Sequence, residues 1–457
     1  MPENIVEYPG FMIEWTYFYI KRNKDLTSAP TILARSEHNI SRANIDQNAL
    51  KVLYRLKDAG FDAYLVGGGV RDLLLGLQPK DFDIATNARP EEIKQVFRNC
   101  RLVGRRFRLA HIYFGREMIE VATFRGKPSD DDDAHHTKDN GRILRDNVYG
   151  TLEEDAWRRD FTINALYYNI RDFSVVDYTG GLESLEKGEL KLIGDPEQRY
   201  REDPVRMLRA VRLSVKASLR IHTESEAPIA DLGYLLDDIP PARLFDEVLK
   251  LFMGGMAIQT FEQLRHYDLF GYLFPETNRL LDIELEGFPK RFLTQAFVNT
   301  DARIAEGKPV TPAFIFATLL WDPLLDQKDI FQQQGMSEVE AFQAAAAEVI
   351  KPHAINVTLP KRFGIPMREI WQLQPRLMKN NGRRTLRLLT HPRFRAAYDF
   401  LLLRAQAGED VGEVAQWWTD FQELDDEQRN QLVKSTAPKR KKRSRSKRRR
   451  IRDMNEQ

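Results

Sequence analysis

Residues 65–83 read LVGGGVRDLLLGLQPKDFD, and this stretch decides how the rest of the chain is read. A short apolar run feeds three glycines, Gly67 to Gly69, and the residues after them have helical character. At such a turn backbone N–H groups can approach a phosphate closely, because glycine has no Cβ to hold it off. A glycine-rich turn alone is a weak signal. About a dozen residues on stands Asp81-Phe82-Asp83. In a strand the two aspartates share one face while Phe82 turns to the core. Paired carboxylates suit Mg2+, a hard cation that prefers oxygen. In a two-metal displacement the ions sit roughly 3.5–4 Å apart and flank the attacking and leaving oxygens. A lone pair of this kind is ordinarily a solvated surface feature. Preceded by GGGVRD at this spacing, it reads as a site.

Working outward, ISRANIDQNALKVLYRLKDAG places Leu50, Leu53, Tyr54 and Leu56 at helical spacing, with Gly60 as the stop. EEIKQVFRNC predicts a helix, and RLAHIYFG with EMIEVATFRG predicts a hairpin joined near Gly115. The strands are short and closely spaced, unlike the even alternation of a doubly wound dinucleotide fold. Residues 126–150 form a polar break holding Asp130 to Asp133, His135 and His136; lacking apolar flanks, it reads as a loop rather than a metal site. From Leu152 helical patterns take over, beginning with LEEDAWRRDFTINALYY.

The single cysteine, Cys100, excludes an intrachain disulfide framework and a Cys-based zinc finger. The longest apolar stretches fall far short of the roughly 20 residues of a membrane helix, so a cytoplasmic setting is expected. FMIEWTYFYI (11–20) is aromatic-rich and followed by KRNK. It is read as a docking strand or a leader upstream of the natural start, with contact to a membrane surface as the alternative. The net charge of +2 hides a polarised chain. Residues 439–452, KRKKRSRSKRRRIR, hold 11 Lys/Arg and no acid; the remainder carries 58 basic against 67 acidic residues, a net of −9. Such an arm cannot fold alone and binds polyanions by releasing counterions, without reading sequence.

GGGVRD (67–72) and DFD (81–83) resemble the paired motifs of the class II nucleotidyltransferases of the polymerase-beta superfamily, whose members are CCA-adding enzymes and bacterial poly(A) polymerases. RRDFTINAL (158–166) is similar to that family's ribose-recognition segment, DYTGG (177–181) to its hinge, and EDPVRMLR (202–209) to its base-selecting helix. The resemblance implies that Asp81 and Asp83 hold Mg2+, and that Asp160 completes the catalytic carboxylates, with Glu120 as its rival. It further implies that Gly67, Gly68, Arg71 and Asp72 serve the triphosphate and Asn164 the ribose. Asp203 and Arg206, with Arg209 on the same helical face, would select the base by offering an acceptor beside a donor. The ordinary reading of that spacing is an intrahelical ion pair.

LVGRRFRLAHI (102–112) resembles the stretch that marks the poly(A) polymerase branch, and Arg105, Arg106 and Arg108 make it locally basic, fit to hold a phosphate or the RNA 3′ end. The basic tail, beginning Lys439, Arg440, Lys441, Lys442 and Arg443, fits capture of many RNAs. No His-Asp metal-hydrolase signature, carried by some CCA-adding enzymes, occurs in the C-terminal half.

The expectation is an α+β multidomain chain. An irregular extension (1–40) precedes an α/β nucleotidyltransferase head with a short mixed sheet (41–180). A helical neck (181–255) and a helical RNA-binding body (256–436) follow, then a disordered basic tail (437–457). The expected activity adds adenylate from ATP to RNA 3′ ends (mRNA, small RNA, decay fragments) without a template, releasing pyrophosphate and feeding RNA-decay machinery. CCA addition to tRNA is the alternative. A non-catalytic RNA-binding scaffold is disfavoured because both aspartates are present.

Overall fold

The computed structural model describes residues 29–104, 108–126, 148–283, 290–351, 356–379 and 384–435. Eight strands build one mixed sheet: β1 (Thr31–Leu33), β2 (Ala63–Val66), β3 (Asp83–Thr86), β4 (Cys100–Val103), β5 (Leu109–Phe114), β6 (Glu117–Thr123), β7 (Leu166–Asn169) and β8 (Val175–Asp177). Their spatial order is β1-β8-β7-β2-β3-β6-β5-β4. Only β3 and β6 run parallel; the other neighbours are antiparallel. The hairpin at Gly115 forms as expected, with the glycine at φ +65°.

Helix α1 (Gln47–Asp58) starts at Asp46, whose carboxylate accepts from the N–H groups of Asn48 and Ala49. It buries Leu50, Leu53 and Leu56 against Ile84, Ile112 and Val121 of the sheet, and Gly60 ends it at φ +91°. α2 (Gly68–Leu74) and α3 (Pro90–Val96) follow β2 and β3. The opposite face of the sheet carries Val66, Ala85, Tyr167 and Val176, covered by Ala156 of α4 (Leu152–Arg158).

Three elements differ from the periodicity reading. Thr31–Leu33, within the stretch expected to be irregular, is an edge strand because β8 offers it an open ladder. LEEDAWRRDFTINALYY is not one helix: α4 stops at Arg158, Thr162–Asn164 make a single 3-10 turn, and LYYN enters the sheet between β2 and β8. Leu166, Tyr167 and Tyr168 are buried on both faces, so the helix-like spacing lost to sheet packing. The neck is not wholly helical either, because Glu189–Leu190 pairs with Arg220–Ile221 in a two-stranded parallel ribbon.

The DYTGG turn is a built corner. Asp177 accepts from the N–H groups of Thr179, Gly180 and Leu182. A Cβ on Gly181 would lie 2.3 Å from the Thr162 carbonyl, so no other residue fits there. Helices α5 (Gly181–Glu186), α6 (Pro196–Glu202), α7 (Val205–Ala217), α8 (Pro241–Phe252) and α9 (Ala257–His266) come next. A single apolar core, from Phe161 to Ala407, joins these helices to those between 290 and 406. A smaller core, Leu373 to Val433, closes the C-terminal end. The buried indoles of Trp371 and Trp418 donate to the carbonyls of Ala317 (3.0 Å) and Leu377 (2.9 Å).

One group inside this helical region is poorly accommodated. Asp322 Oδ2 is shut off from solvent with no hydrogen-bond partner among the described residues. Burial, and then the Glu409 carboxylate, push Asp322 up to about 8. The native state therefore holds a proton that the unfolded chain releases near pH 4. Stability contributed by this site is intact below pH 4 and declines as pH rises toward 8. Asp322→Asn is expected to flatten that decline, gaining a few kcal/mol at pH 8.5 and almost nothing at pH 4. Urea unfolding at both pH values checks it; equal gains would exclude the ionisation as cause.

Candidate active site

Strand β2 delivers the chain to Gly67, which caps α2 at φ +71° and ψ −139° without any side-chain cap. That conformation favours glycine. A Cβ there would come 3.9 Å from Asp83 Oδ2 and 3.7 Å from an Arg159 nitrogen, so the turn lies directly against the carboxylate strand. The uncapped first turn leaves backbone donors of the kind that receive phosphate.

Arg71 and Asp72 are both buried, at 2% and 4% exposure. Arg71 donates through Nε (2.8 Å) and one terminal nitrogen (2.6 Å) to Asp72 Oδ1, and through the other to Asn164 Oδ1 (2.6 Å). Lys216 of α7 takes Asp72 Oδ2 at 2.9 Å. Both oxygens of Asp72 are thus engaged by cations, Arg71 on one and Lys216 on the other. Asn164 Nδ2 donates to Asp160 Oδ1 at 3.1 Å. The two residues meet across the 3-10 turn Thr162–Asn164.

Asp83 opens β3, and Asp81 lies just before the strand. The parallel ladder pairs Ile84 with Val121, so Asp83 stands beside Glu120 one residue upstream. Asp83 is accessible from the cleft, yet the protein around it displaces most of its water. Burial, then the Glu120 carboxylate, raise it to about 6, with Asp81 adding to the effect and Arg159 opposing it. Asp160 is placed differently. Burial alone would raise it, but the Arg209 guanidinium, the Asn164 amide and the Phe161 N–H hold it at about 2. Asp160 is therefore a stable anion locked to the neck, and the carboxylate coupled to Asp83 is Glu120. Among the described residues no three His, Cys, Asp or Glu groups form a ready metal cage. This donor set still fits Mg2+, which is usually bound by one or two carboxylates with substrate phosphates completing the shell.

A cavity of about 330 Å³ runs from the glycine turn to the neck, lined by Gly68, Gly69, Arg71, Asp81, Asp83 and Asn164 on one side. The other side carries Arg209, Arg212 and Lys216 of α7 with Lys250, Met253, Gly254 and Met256. Arg212 Nε is buried without a hydrogen-bond partner among the described residues, and burial followed by the neighbouring Arg209 charge lowers its pKa. An orphaned guanidinium edge in a cationic cleft calls for an anion.

EDPVRMLR does not form one helix. Asp203 closes α6 and Pro204 opens α7, so the expected common face is broken. Asp203 Oδ2 accepts from Arg243 of α8 at 2.7 Å. Arg206 donates to Glu202 (3.0 Å) and to the Arg199 carbonyl (2.5 Å), and Arg209 pairs with Asp160. Three separate partners thus replace the shared ladder. Arg105, Arg106 and the tail residues from Lys439 lie outside the described residues.

Three family models match the chain: "Poly A polymerase head domain" over residues 63–191, "Probable RNA and SrmB- binding site of polymerase A" over 218–281, and "Polymerase A arginine-rich C-terminus" over 334–452. Poly(A) polymerase I of Salmonella typhi is 51% identical over 421 residues, covering 90% of both chains. That of Haemophilus influenzae is 46% identical over 407 residues, covering 88% and 90%. The chain belongs to the bacterial poly(A) polymerase I family. A CCA-adding enzyme of Lactobacillus helveticus matches at 38% over only 47% of this chain. The same fold recurs in the Bacillus stearothermophilus CCA-adding enzyme in complex with CTP, with 26% identity and a TM-score of 0.53 over 82% of this chain and 81% of that one. Kinship with both branches is thus kept across the fold, while close identity over the whole length lies with poly(A) polymerase I.

The cleft also holds side chains that the motifs did not reveal. Arg212 and Lys216 are one and two turns beyond Arg209 on α7 in the plain 3.6-residue pattern. EDPVRMLRAVRLSVK therefore carried the signal, but only with the facing glycine turn known. Lys250, held to Glu247 at 2.8 Å, sits at the end of α8 and gave no local signal.

Proposed function

We propose that this chain extends RNA 3′ ends with adenylate from ATP, without a template, releasing pyrophosphate, and that the cleft between the glycine turn and α7 is where transfer occurs. The observation that carries this is the coupled pair Asp83 and Glu120 set against the uncapped glycine turn, in a chain alike to poly(A) polymerase I over nine-tenths of its length. Asp81, Asp83 and Glu120 would hold Mg2+, which supplies charge neutralisation at the reacting phosphate when bound. The turn at Gly67 and Gly68 would cradle phosphates, with Arg71 fixed behind it by Asp72 and Asn164. Arg209, Arg212 and Lys216 would take the remaining triphosphate charge. Asp160 would act as a positioning residue that aims Arg209 and Asn164, the latter toward the ribose.

Asp203 and Arg206 would read the base, each already oriented by Arg243 and Glu202. An acceptor beside a donor matches an exocyclic amine beside a ring nitrogen. Adenine and cytosine both present that pattern, whereas guanine and uracil do not. Hydrogen bonding thus rejects two bases, and choosing adenine over cytosine falls to pocket size. Tails so made would mark RNA for the decay machinery in the cytoplasm.

The direct test offers a short single-stranded RNA, Mg2+, and either ATP or CTP. A long ladder with ATP and little with CTP is expected. Poor extension of that RNA, with addition of C, C and A to an end-trimmed tRNA, would overturn the reading. Deleting residues 439–452 is expected to weaken RNA binding and flatten the fall of log K with log salt by several units, each lost phosphate contact being worth about 0.7–0.9. The rate at saturating RNA should hold. An unchanged salt slope would refute the role of the tail.

A further inference from the structure

The sheet register lines up one row of side chains across four strands. Arg101 on β4 pairs with His111 on β5, His111 pairs with Glu120 on β6, and Glu120 stands beside Asp83 on β3. Directly opposed residues share a face. The face bearing the two carboxylates therefore continues outward, away from the nucleotide cleft, to a histidine and then an edge arginine. Interstrand spacing puts Arg101 about 10 Å from Glu120. Beside the row, Tyr113 lies under the Arg101 guanidinium at 5.4 Å and meets the His111 ring edge-on at 6.4 Å. Its cross-strand partner Met118 is 41% exposed. His111 Nε2 is 3.5 Å from Glu120 Oε2, buried, and makes no hydrogen bond among the described residues.

This arrangement answers a need of the reaction. In an in-line displacement the attacking oxygen and the departing pyrophosphate occupy opposite sides of the phosphorus. The cationic cleft of Arg71, Arg209 and Arg212 lies on one side of the carboxylates. The only described continuation of the carboxylate row on the other side is His111, Arg101 and Tyr113. The geometry points to this face as the seat of the RNA 3′-terminal nucleotides. Tyr113 and Met118 stack or support a base, Arg101 takes the phosphate 5′ to it, and His111 donates to the terminal ribose next to Glu120. Bases of any identity stack on an aromatic ring, which suits a primer whose sequence is not read. The inference rests on the adenylate-transfer reading above.

The test uses the full chain and a short oligo(A) primer. Tyr113→Ala and Arg101→Ala are each expected to raise KM for the RNA about tenfold, with KM for ATP and kcat at saturating RNA within about twofold of wild type. Tyr113→Phe, which keeps the ring, should behave as wild type. RNA carrying 4-thiouridine at its penultimate position should crosslink within residues 109–118. Unchanged RNA KM in Arg101→Ala, an edge substitution that leaves the core alone, would overturn the proposal even if Tyr113→Ala fails to fold. So would crosslinks confined to α7. Failure of wild-type enzyme to extend the primer with ATP would instead overturn the parent reading.

Discussion

Asp83→Asn is expected to abolish adenylate incorporation while leaving the protein at least as stable as wild type. The amide is nearly isosteric, so the register of β3 against β2 and β6 should persist. What disappears is a charge that the fold tolerates poorly. Burial and the carboxylates of Glu120 and Asp81 raise Asp83 to about 6. Above that pH the metal-free native state carries an ionised group that the unfolded chain would hold more easily. Below about pH 4 both states are protonated and the penalty vanishes. The stability advantage of the variant should therefore be seen at pH 7.5 in the presence of a chelator and shrink steadily below pH 6.

Activity should move the other way. With Asp83 proposed to hold the cation, its loss should remove several kcal/mol of transition-state charge stabilisation, on the order of a thousandfold or more in rate. A proton on Asp83 competes with the cation, so wild-type affinity for Mg2+ should fall below pH 6. The measurements are melting temperature against pH, primer extension, and RNA binding by filter retention, which should be unchanged. Robust extension by the variant, or a lower melting temperature at pH 7.5 than at pH 5 relative to wild type, would contradict the assignment.

Much of this site could be read from residue order, for a physical reason. The glycine turn and the two aspartates are coupled through one short antiparallel pair, Val66 with Asp83, so local spacing encodes their proximity. Features that depend on side-chain partners across long intervals were less legible. The periodicity of RRDFTINALYY is genuinely helical, and only a sheet with a vacancy between β2 and β8 makes it a strand. Asp203 and Arg206 share helical spacing in sequence, but Pro204 breaks the helix between them. Asp72 looks like a charge placed for ligand, and only the approach of Lys216, 144 residues later, shows it engaged on both oxygens. The third carboxylate was ambiguous for the same reason. A motif points to Asp160, whereas the parallel register of β3 and β6, which no local pattern announces, sets Glu120 beside Asp83.

Glu120→Gln and Asp160→Asn are expected to separate along different axes. Glu120 stands beside Asp83 on β6 and, among the described residues, makes no ion pair beyond its 3.5 Å approach to His111, so its amide should cost little stability. We propose that Glu120 also receives the proton of the attacking hydroxyl, so its loss should lower kcat by about 10²–10⁴-fold with KM for ATP nearly constant. Asp160 is held at about 2 by Arg209 and Asn164. Its ionised form stabilises the fold above the unfolded value near 4, and that contribution is lost only as pH drops toward 2. At neutral pH the amide forfeits the Arg209 pair, costing about 1–3 kcal/mol once the half-open position of Arg209 is allowed for. Arg209, no longer aimed, should raise KM for ATP about tenfold while kcat falls less than tenfold. Chemical denaturation at pH 7 and ATP saturation curves for both variants decide the matter. If instead Asp160→Asn loses kcat a hundredfold at unchanged KM while Glu120→Gln stays active, the roles exchange: Asp160 receives the proton, and Glu120 serves only to raise the affinity of Asp83 for a cation.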